Sequence, residues 1–297
     1  MLNDPETNYP LKMIWCQNCT LVQLDYCVDG KLVYHPGYPY RSGITKELAD
    51  YQMAMSQSLV KKYSLTKNDL VIDIGSNDGT LLQGFKDQGI KVLGVEPTNI
   101  AKIANKVGIK TIQAYFDTKL AKKIKQKYGL ASLIITTNTF AHMQALGEFI
   151  TGAHLLLKDG GVFINETHYL LDIIAEGQFD TIYHEHLRTY SLKAYVRLFN
   201  QYDFTVTDVE RGSRYGGNIR VHATKGKGKP ISSEVKKLLK LEEDFGLGKL
   251  TTYTKFAERV KKARLEFMEF LYKAKMSNKH VVGDACPARS STLLNYY

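Results

Sequence analysis

An α/β fold built on an open, mostly parallel sheet is predicted by three observations. Short β-rich apolar runs alternate with helical patterns through the middle of the chain, which implies parallel strands joined by helices that cover both faces. The run DLVIDIG is followed by SNDG, turn residues at a strand's carboxyl end, where open α/β sheets bind ligands. The last two strand-like runs, FTVTDVERG and GNIRVHATKG, have no helix between them, so they are expected to pair antiparallel at one sheet edge.

The elements follow in order. The N-terminal stretch is irregular, with YHPGYPYRSG rich in Pro, Gly and Tyr. TKELADYQMAMSQSLVKKY then reads as a helix started by Thr45. DLVIDIG is a strand, and TLLQGFKDQG is a helix closed by Gly89. KVLGVEP is a strand, and TNIAKIANKVG is a helix capped by Thr98 and stopped by Gly108. KTIQAYF, ASLIITTN and VFINETHYL are strands, separated by the helices TKLAKKIKQKYG and FITGAHLLLKDGG. SLKAYVRLFNQYD is a helix before the final strand pair. Residues 231–276 are charged, Leu-rich and helical in pattern, and KHVVGDACPARSSTLLNYY reads as a strand, a tight turn and the opening of a helix. The expected division is an N-terminal segment over 1–55, a ligand-binding catalytic domain over 56–226, a helical segment over 227–276, and the start of a further α/β segment over 277–297.

Composition sets outer bounds. The chain has 297 residues, is 44% hydrophobic and carries a formal net charge of +10, much of it lysine on helix surfaces. Aromatic residues do not interleave with the basic runs, so no nucleic-acid platform is expected. No apolar run approaches the roughly 20 residues of a membrane helix. No basic start with an apolar segment marks a secretory signal, so a cytoplasmic protein without membrane association is expected. Four cysteines do not make a disulfide scaffold.

The turn after DLVIDIG offers Asp73, Gly75, Asn77, Asp78 and Gly79. The pattern is not G-x-G-x-x-G, and its acids would repel a pyrophosphate, which argues against NAD. A sulfonium ligand with an amino acid tail fits better, with Asp73 facing its ammonium group. Glu96 in GVEP, followed by Pro97, stands where an acidic residue takes ribose hydroxyls. TTNTFAHM offers Asn138 and His142 at the fourth strand's end. Phe116 reads equally as adenine stacking or as core packing. Together DIGSNDG and GVEP resemble the S-adenosylmethionine motifs of class I methyltransferases. That resemblance, with the helix-free strand pair, implies a Rossmann-like seven-stranded sheet and S-adenosylmethionine as cofactor.

FDTIYHEHLRTYS then packs Tyr183, His184, Glu185 and His186 side by side after the fifth strand. Alkylating carbon requires removal of a proton beside a carbonyl, a base suited to working pH, and stabilisation of the enolate. Histidine suits the base, and a neighbouring carboxylate can orient it. Over most of its length the chain resembles the sugar C-methyltransferases, which methylate a nucleotide-linked keto-deoxysugar beside its ketone. The resemblance is carried by YPLKMIWCQNCTLVQL, YPYRSG, DIGSNDGTLL, GVEP, NTFAHM, ETHYL, YHEHL, YGGNIRV and PARSSTLLNYY. It implies His186 as base, Glu185 as its orienter, Tyr183 as proton relay or enolate stabiliser, and His142 near the sugar carbonyl. Tyr38 or Tyr40 is expected to cover the site. His168 reads as pocket lining or as structural, and His184 has no assigned role. Gly217 is expected to let a loop approach the diphosphate, with Arg220 as its anion partner or as an ordinary strand residue. A nucleotide-sugar small molecule is the expected partner.

The chain departs from that family at its flanks. The family's N-terminal module binds zinc through two Cys-x-x-Cys pairs, and here Cys16 and Cys19 supply one, an incomplete set. Asp284 and Cys286 stand where the family favours an aromatic and a small residue. Both flanks look cut. The alternatives are an O- or N-methyltransferase on another small molecule, or a non-catalytic paralogue that binds the cofactor.

Overall fold

The computed structural model describes residues 7–35, 37–285 and 287–297, so Cys286 lies outside it. The chain opens with two three-residue strands, β1 (Met13–Trp15) and β2 (Val22–Leu24), and a single helical turn, α1 (Gly30–Val33). Helix α2 (Lys46–Lys62) starts where predicted, with the Thr45 hydroxyl accepting from Leu48 N. The alternating region follows: β3 (Leu70–Ile74), α3 (Thr80–Lys86), β4 (Lys91–Val95), α4 (Ala101–Lys106), β5 (Thr111–Ile112), α5 (Thr118–Tyr128), β6 (Ala131–Thr137), α6 (Leu146–Leu156) and β7 (Leu157–His168). Then come α7 (Leu170–Glu176), β8 (Arg188–Thr189), α8 (Leu192–Asn200), β9 (Phe204–Gly212), β10 (Asn218–Lys225), α9 (Ser233–Phe245), α10 (Leu250–Met276) and α11 (Ala288–Tyr296).

The principal sheet has seven strands in the order β5-β4-β3-β6-β7-β10-β9. Its first five strands are parallel, and β10 pairs antiparallel with both β7 and β9. The helix-free pair therefore forms at one edge, as the sequence predicts. Strand order reverses between β3 and β6, so their carboxyl ends flank the crevice where such sheets take ligands. Every residue of β3 is buried, as a strand covered on both faces requires. One apolar cluster joins α5, α6 and α8 to one face, with Phe140, Phe149, Phe163 and Phe199 interlocked. A second, around Leu59, Phe85 and Ile135, packs α2 and α3 on the other.

Several local readings need correction. The KHVV run forms no strand: residues 279–285 are irregular, and Val282 is 85% exposed with no strand beside it among the described residues. Thr98 stands two residues ahead of the cap position: its hydroxyl accepts from Ile100 N and donates to Glu96, but α4 begins at Ala101 with Ile100 at its N-cap. LKDGG belongs to β7 rather than to the end of α6, and KTIQAYF contracts to the two residues of β5. The N-terminal stretch is more regular than predicted, since β1, β2 and β8 form a small antiparallel sheet. Among the described residues no helix is long and apolar enough to cross a membrane.

Candidate active site

Two groups of residues meet at the carboxyl end of the sheet. The first lies in the turns after β3, β4 and β6. Asp73 is 2% exposed, and its Oδ1 has no hydrogen-bond partner. Burial, with the Glu96 charge added, pushes its carboxyl up to about 8. Asn138 Oδ1 and Ser76 Oγ are likewise buried without a partner. Asn77 and Asn138 both hold left-handed backbone, with φ of 51° and 53°, a conformation that costs a non-glycine residue energy and clusters at functional sites. Glu96 accepts from Asn77 N, Thr98 N and the Thr98 hydroxyl, which leaves one of a carboxylate's roughly four acceptor positions free.

Gly75 has φ +80°, and a Cβ there would lie 2.2 Å from Thr139 Oγ1. Only glycine fits between this turn and the β6 loop. Gly75→Ala is therefore expected to destabilise the fold by about 1–3 kcal/mol, read as a lowered melting temperature.

The second group is a cluster of imidazoles and phenols. The His186 ring centroid lies 5.2 Å from that of His142 and 5.0 Å from that of His168. His186 Nδ1 lies 2.8 Å from the Thr181 carbonyl, and its Nε2 lies 3.2 Å from the Tyr183 hydroxyl. A carbonyl only accepts, so Nδ1 carries the proton and Nε2 presents a lone pair to Tyr183. Burial, with a contribution from Arg289, holds the His186 ring down to about 4. Burial and the His186 ring lower His168 to about 3 and His142 well below its ordinary value. All three rings are neutral at pH 7. Two small clefts border the cluster. One is lined by Ala141, Thr167, His168, Thr181, His186 and Arg188, the other by Tyr34, His142, Gln144, Glu185 and Leu187.

The N-terminal segment covers both groups. Asn77 Nδ2 donates to Tyr40 O, Ser42 N donates to Asn77 Oδ1, and Gly43 N donates to Asp78 Oδ2. Tyr38 donates to Glu185 Oε2 at 2.9 Å, and the Tyr34 hydroxyl sits 2.5 Å from His142 Nδ1.

With this geometry in hand, comparison with known proteins is decisive. A family described as "Methyltransferase domain" matches residues 45–209, and one described as "C-methyltransferase C-terminal domain" matches residues 213–297. The C-methyltransferase NovU of Streptomyces niveus is 31% identical over 291 residues, covering 97% of this chain and 69% of its own. The chain belongs to the C-methyltransferase family. It is an S-adenosylmethionine-dependent methyltransferase. The fold agrees with that of magnesium protoporphyrin IX methyltransferase from Synechocystis PCC 6803, described with bound SAH. The TM-score is 0.50 at 13% identity, over 67% of this chain and 100% of that one.

Several of the expected residue roles change in this C-methyltransferase. Glu185 does not orient His186: the Thr181 carbonyl does, and Glu185 instead accepts from Tyr38. Arg220 is not free to meet an anion. It is 9% exposed and paired with Glu166 and Glu210, and Tyr51 completes the network. Gly217 serves packing, since at φ +126° a Cβ would lie 2.3 Å from Asp172. The Asn77 side chain bonds to Tyr40 O, Ser42 N and Asp78 N, and the Asp78 carboxylate accepts from Gly43 N and the Thr80 hydroxyl. Gly79, at φ +83°, starts α3 against Ile109. Pro97 is half-buried beside Glu96, and Phe116, also half-buried, meets Phe149 edge to face at 5.1 Å. Cys16 and Cys19 stand together in the β1–β2 turn, with Cys19 N 3.5 Å from Cys16 Sγ. Among the described residues, no group of three or more His, Cys, Asp or Glu side chains is placed to hold a metal.

Sequence reasoning missed Tyr34, Thr181 and Arg289. Arg289 on α11 forms a two-pronged ion pair with Asp180, and Thr292 donates to Ile182 O, so the last helix braces the segment that carries His186. The PARSSTLLNYY run signalled the resemblance but gave no hint of this contact.

Proposed function

We propose that this C-methyltransferase acts on a nucleotide-diphosphate-linked keto-deoxysugar, removing a proton beside the ketone and methylating that carbon. The single observation that carries this reading is the placing of the His186 ring, its Nδ1 held by the Thr181 carbonyl and its Nε2 turned to Tyr183, with the His142 ring beside it. O- or N-methylation needs only positioning and one base. Two neutral imidazoles with phenols beside them suit a harder task, loss of a carbon-bound proton with charge developing on a ketone oxygen. Asp73, Asn138, Glu96 and the Gly75 turn fit the donor: two orphaned buried oxygens and a spare acceptor position await polar groups, and the turn has no room for a Cβ. Asp73 would face the ammonium group and Glu96 the ribose. When bound, the donor supplies an electrophilic methyl on a sulfonium. His186 takes the proton, His142 faces the oxygen, and Tyr183 shuttles or stabilises. Tyr38, Tyr40 and His168 close the acceptor side.

In deuterated water, with the keto-sugar nucleotide and S-adenosylhomocysteine, deuterium is expected to enter the position beside the ketone without turnover. Product methylated on oxygen or nitrogen, with no such exchange, would overturn the reading.

A further inference from the structure

We propose that Tyr34 fixes the tautomer of His142, making that ring a hydrogen-bond donor to the acceptor's ketone oxygen; this rests on the substrate reading above. Tyr34 ends the helical turn α1. Its N–H donates to Gly30 O, and its carbonyl accepts from the Tyr115 hydroxyl, so its backbone is held on both sides. Its own hydroxyl has His142 Nδ1 as its one hydrogen-bond partner among the described residues. The neutral pair holds two polar protons, one on the phenol and one on the imidazole. If the phenol donates, its proton is used and the ring proton falls on Nε2. If Nδ1 donates instead, the phenol proton is the one without a partner among the described residues, so each arrangement leaves one polar proton over. What separates them is the match of donor to acceptor: a phenol O–H is the better donor, and an imidazole nitrogen lone pair is a better acceptor than a phenol oxygen. The first arrangement is favoured, and His142 Nε2–H is left without a partner among the described residues, in a ring that lines the cleft with Glu185.

His186 stands in the opposite tautomer, because the Thr181 carbonyl holds the proton on its Nδ1. Two neighbouring neutral rings thus offer complementary groups, a lone pair on one and an N–H on the other. Enolisation needs that pair: the C–H proton passes to the lone pair, its electrons move into the new C=C bond, and the oxygen that gains charge meets a donor. Neutral histidine serves as a donor without losing its own proton when burial keeps it uncharged. Tyr34 is a positioning residue, acting through His142.

The test is nitrogen NMR of ¹⁵N-histidine-labelled protein without substrate, with the His142 signals assigned by their loss in His142→Gln. A pyrrole-type Nε2 and a pyridine-type Nδ1 are expected in the native protein, and a mixture of tautomers in Tyr34→Phe. The same variant should lose about 10- to 100-fold in kcat with KM little changed, as loss of an orienting partner does. A protonated Nδ1 in the native protein, or an unchanged tautomer in Tyr34→Phe, would overturn the proposal. So would a raised KM at unchanged kcat. If no keto-sugar nucleotide is turned over, the substrate reading falls, and the NMR result still decides the tautomer.

Discussion

Replacing His186 with alanine is expected to lower carbon methylation by about 100- to 10,000-fold, the range a positioned base supplies. Affinity for S-adenosylhomocysteine should stay nearly unchanged. The split follows from where the ring sits. Its hydrogen bonds run to Thr181 and Tyr183, and its ring neighbours are His142, His168 and Tyr183. The residues assigned to the donor stand instead on the turns after β3, β4 and β6. Isothermal calorimetry and a methyl-transfer assay on one preparation separate the two effects, and equal loss of both would sink the base assignment. The pH profile sharpens the test. Burial depresses the His186 ring to about 4, so its lone pair is present above that value and lost below it. At saturating S-adenosylmethionine, which removes the pH dependence of donor binding at Asp73, the native kcat/KM for the sugar should therefore hold as pH falls through 6.5 and fail only near 4. The groups around the ring set that value. The Arg289 charge lowers it, the Thr181 carbonyl raises it, and the neutral His142 and His168 add no charge of their own at pH 7.

The alternating region was legible because each central strand is buried on both faces and reads as an unbroken apolar run, bounded by glycine turns. Local chemistry made it so. Features that depend on a distant partner were not legible. β1, β2 and β8 are two or three residues long, and β8 reaches β2 across most of the chain, so no periodicity marks them. KHVV carries strand-forming residues but has no strand beside it among the described residues, and propensity alone does not make a ladder. α7 escaped notice because its apolar residues continue directly from β7 as one run, ETHYLLDII, with no turn signal between them. At the site, adjacency misled. Glu185 and His186 are consecutive, yet the carboxylate turns to Tyr38 while the ring turns back to Thr181. The sequence left Arg220 open between an anion partner and an ordinary strand residue because its partners are Glu166, opposite it on β7, and Glu210, opposite it on β9, and only the register brings them together. Tyr34 gave no signal beyond belonging to a Tyr-rich stretch whose other members were noticed.

Replacing Asp73 with asparagine should produce the second large effect, and it is read without turnover. The free protein holds this carboxyl near 8 because burial disfavours the anion, so at pH 7 it is mostly protonated. An ammonium group brought beside it favours the anion and expels the proton. Binding of S-adenosylhomocysteine at pH 7 is then expected to release close to one proton, measured calorimetrically in buffers of different ionisation enthalpy. Affinity should rise about tenfold per pH unit as pH approaches 8, then level off. Asp73→Asn should abolish both the release and the slope, and weaken binding by about 10- to 100-fold, the worth of a charged hydrogen bond. Stability moves the other way. A carboxyl whose folded value lies above its unfolded value of about 3.9 contributes stability below that value and loses it as pH rises through 8. The asparagine variant has no such loss, so at pH 8 it should melt no lower than the native protein. A variant that binds as tightly as native, with its proton release intact, would show that the orphaned oxygen of Asp73 faces something other than the donor's ammonium group.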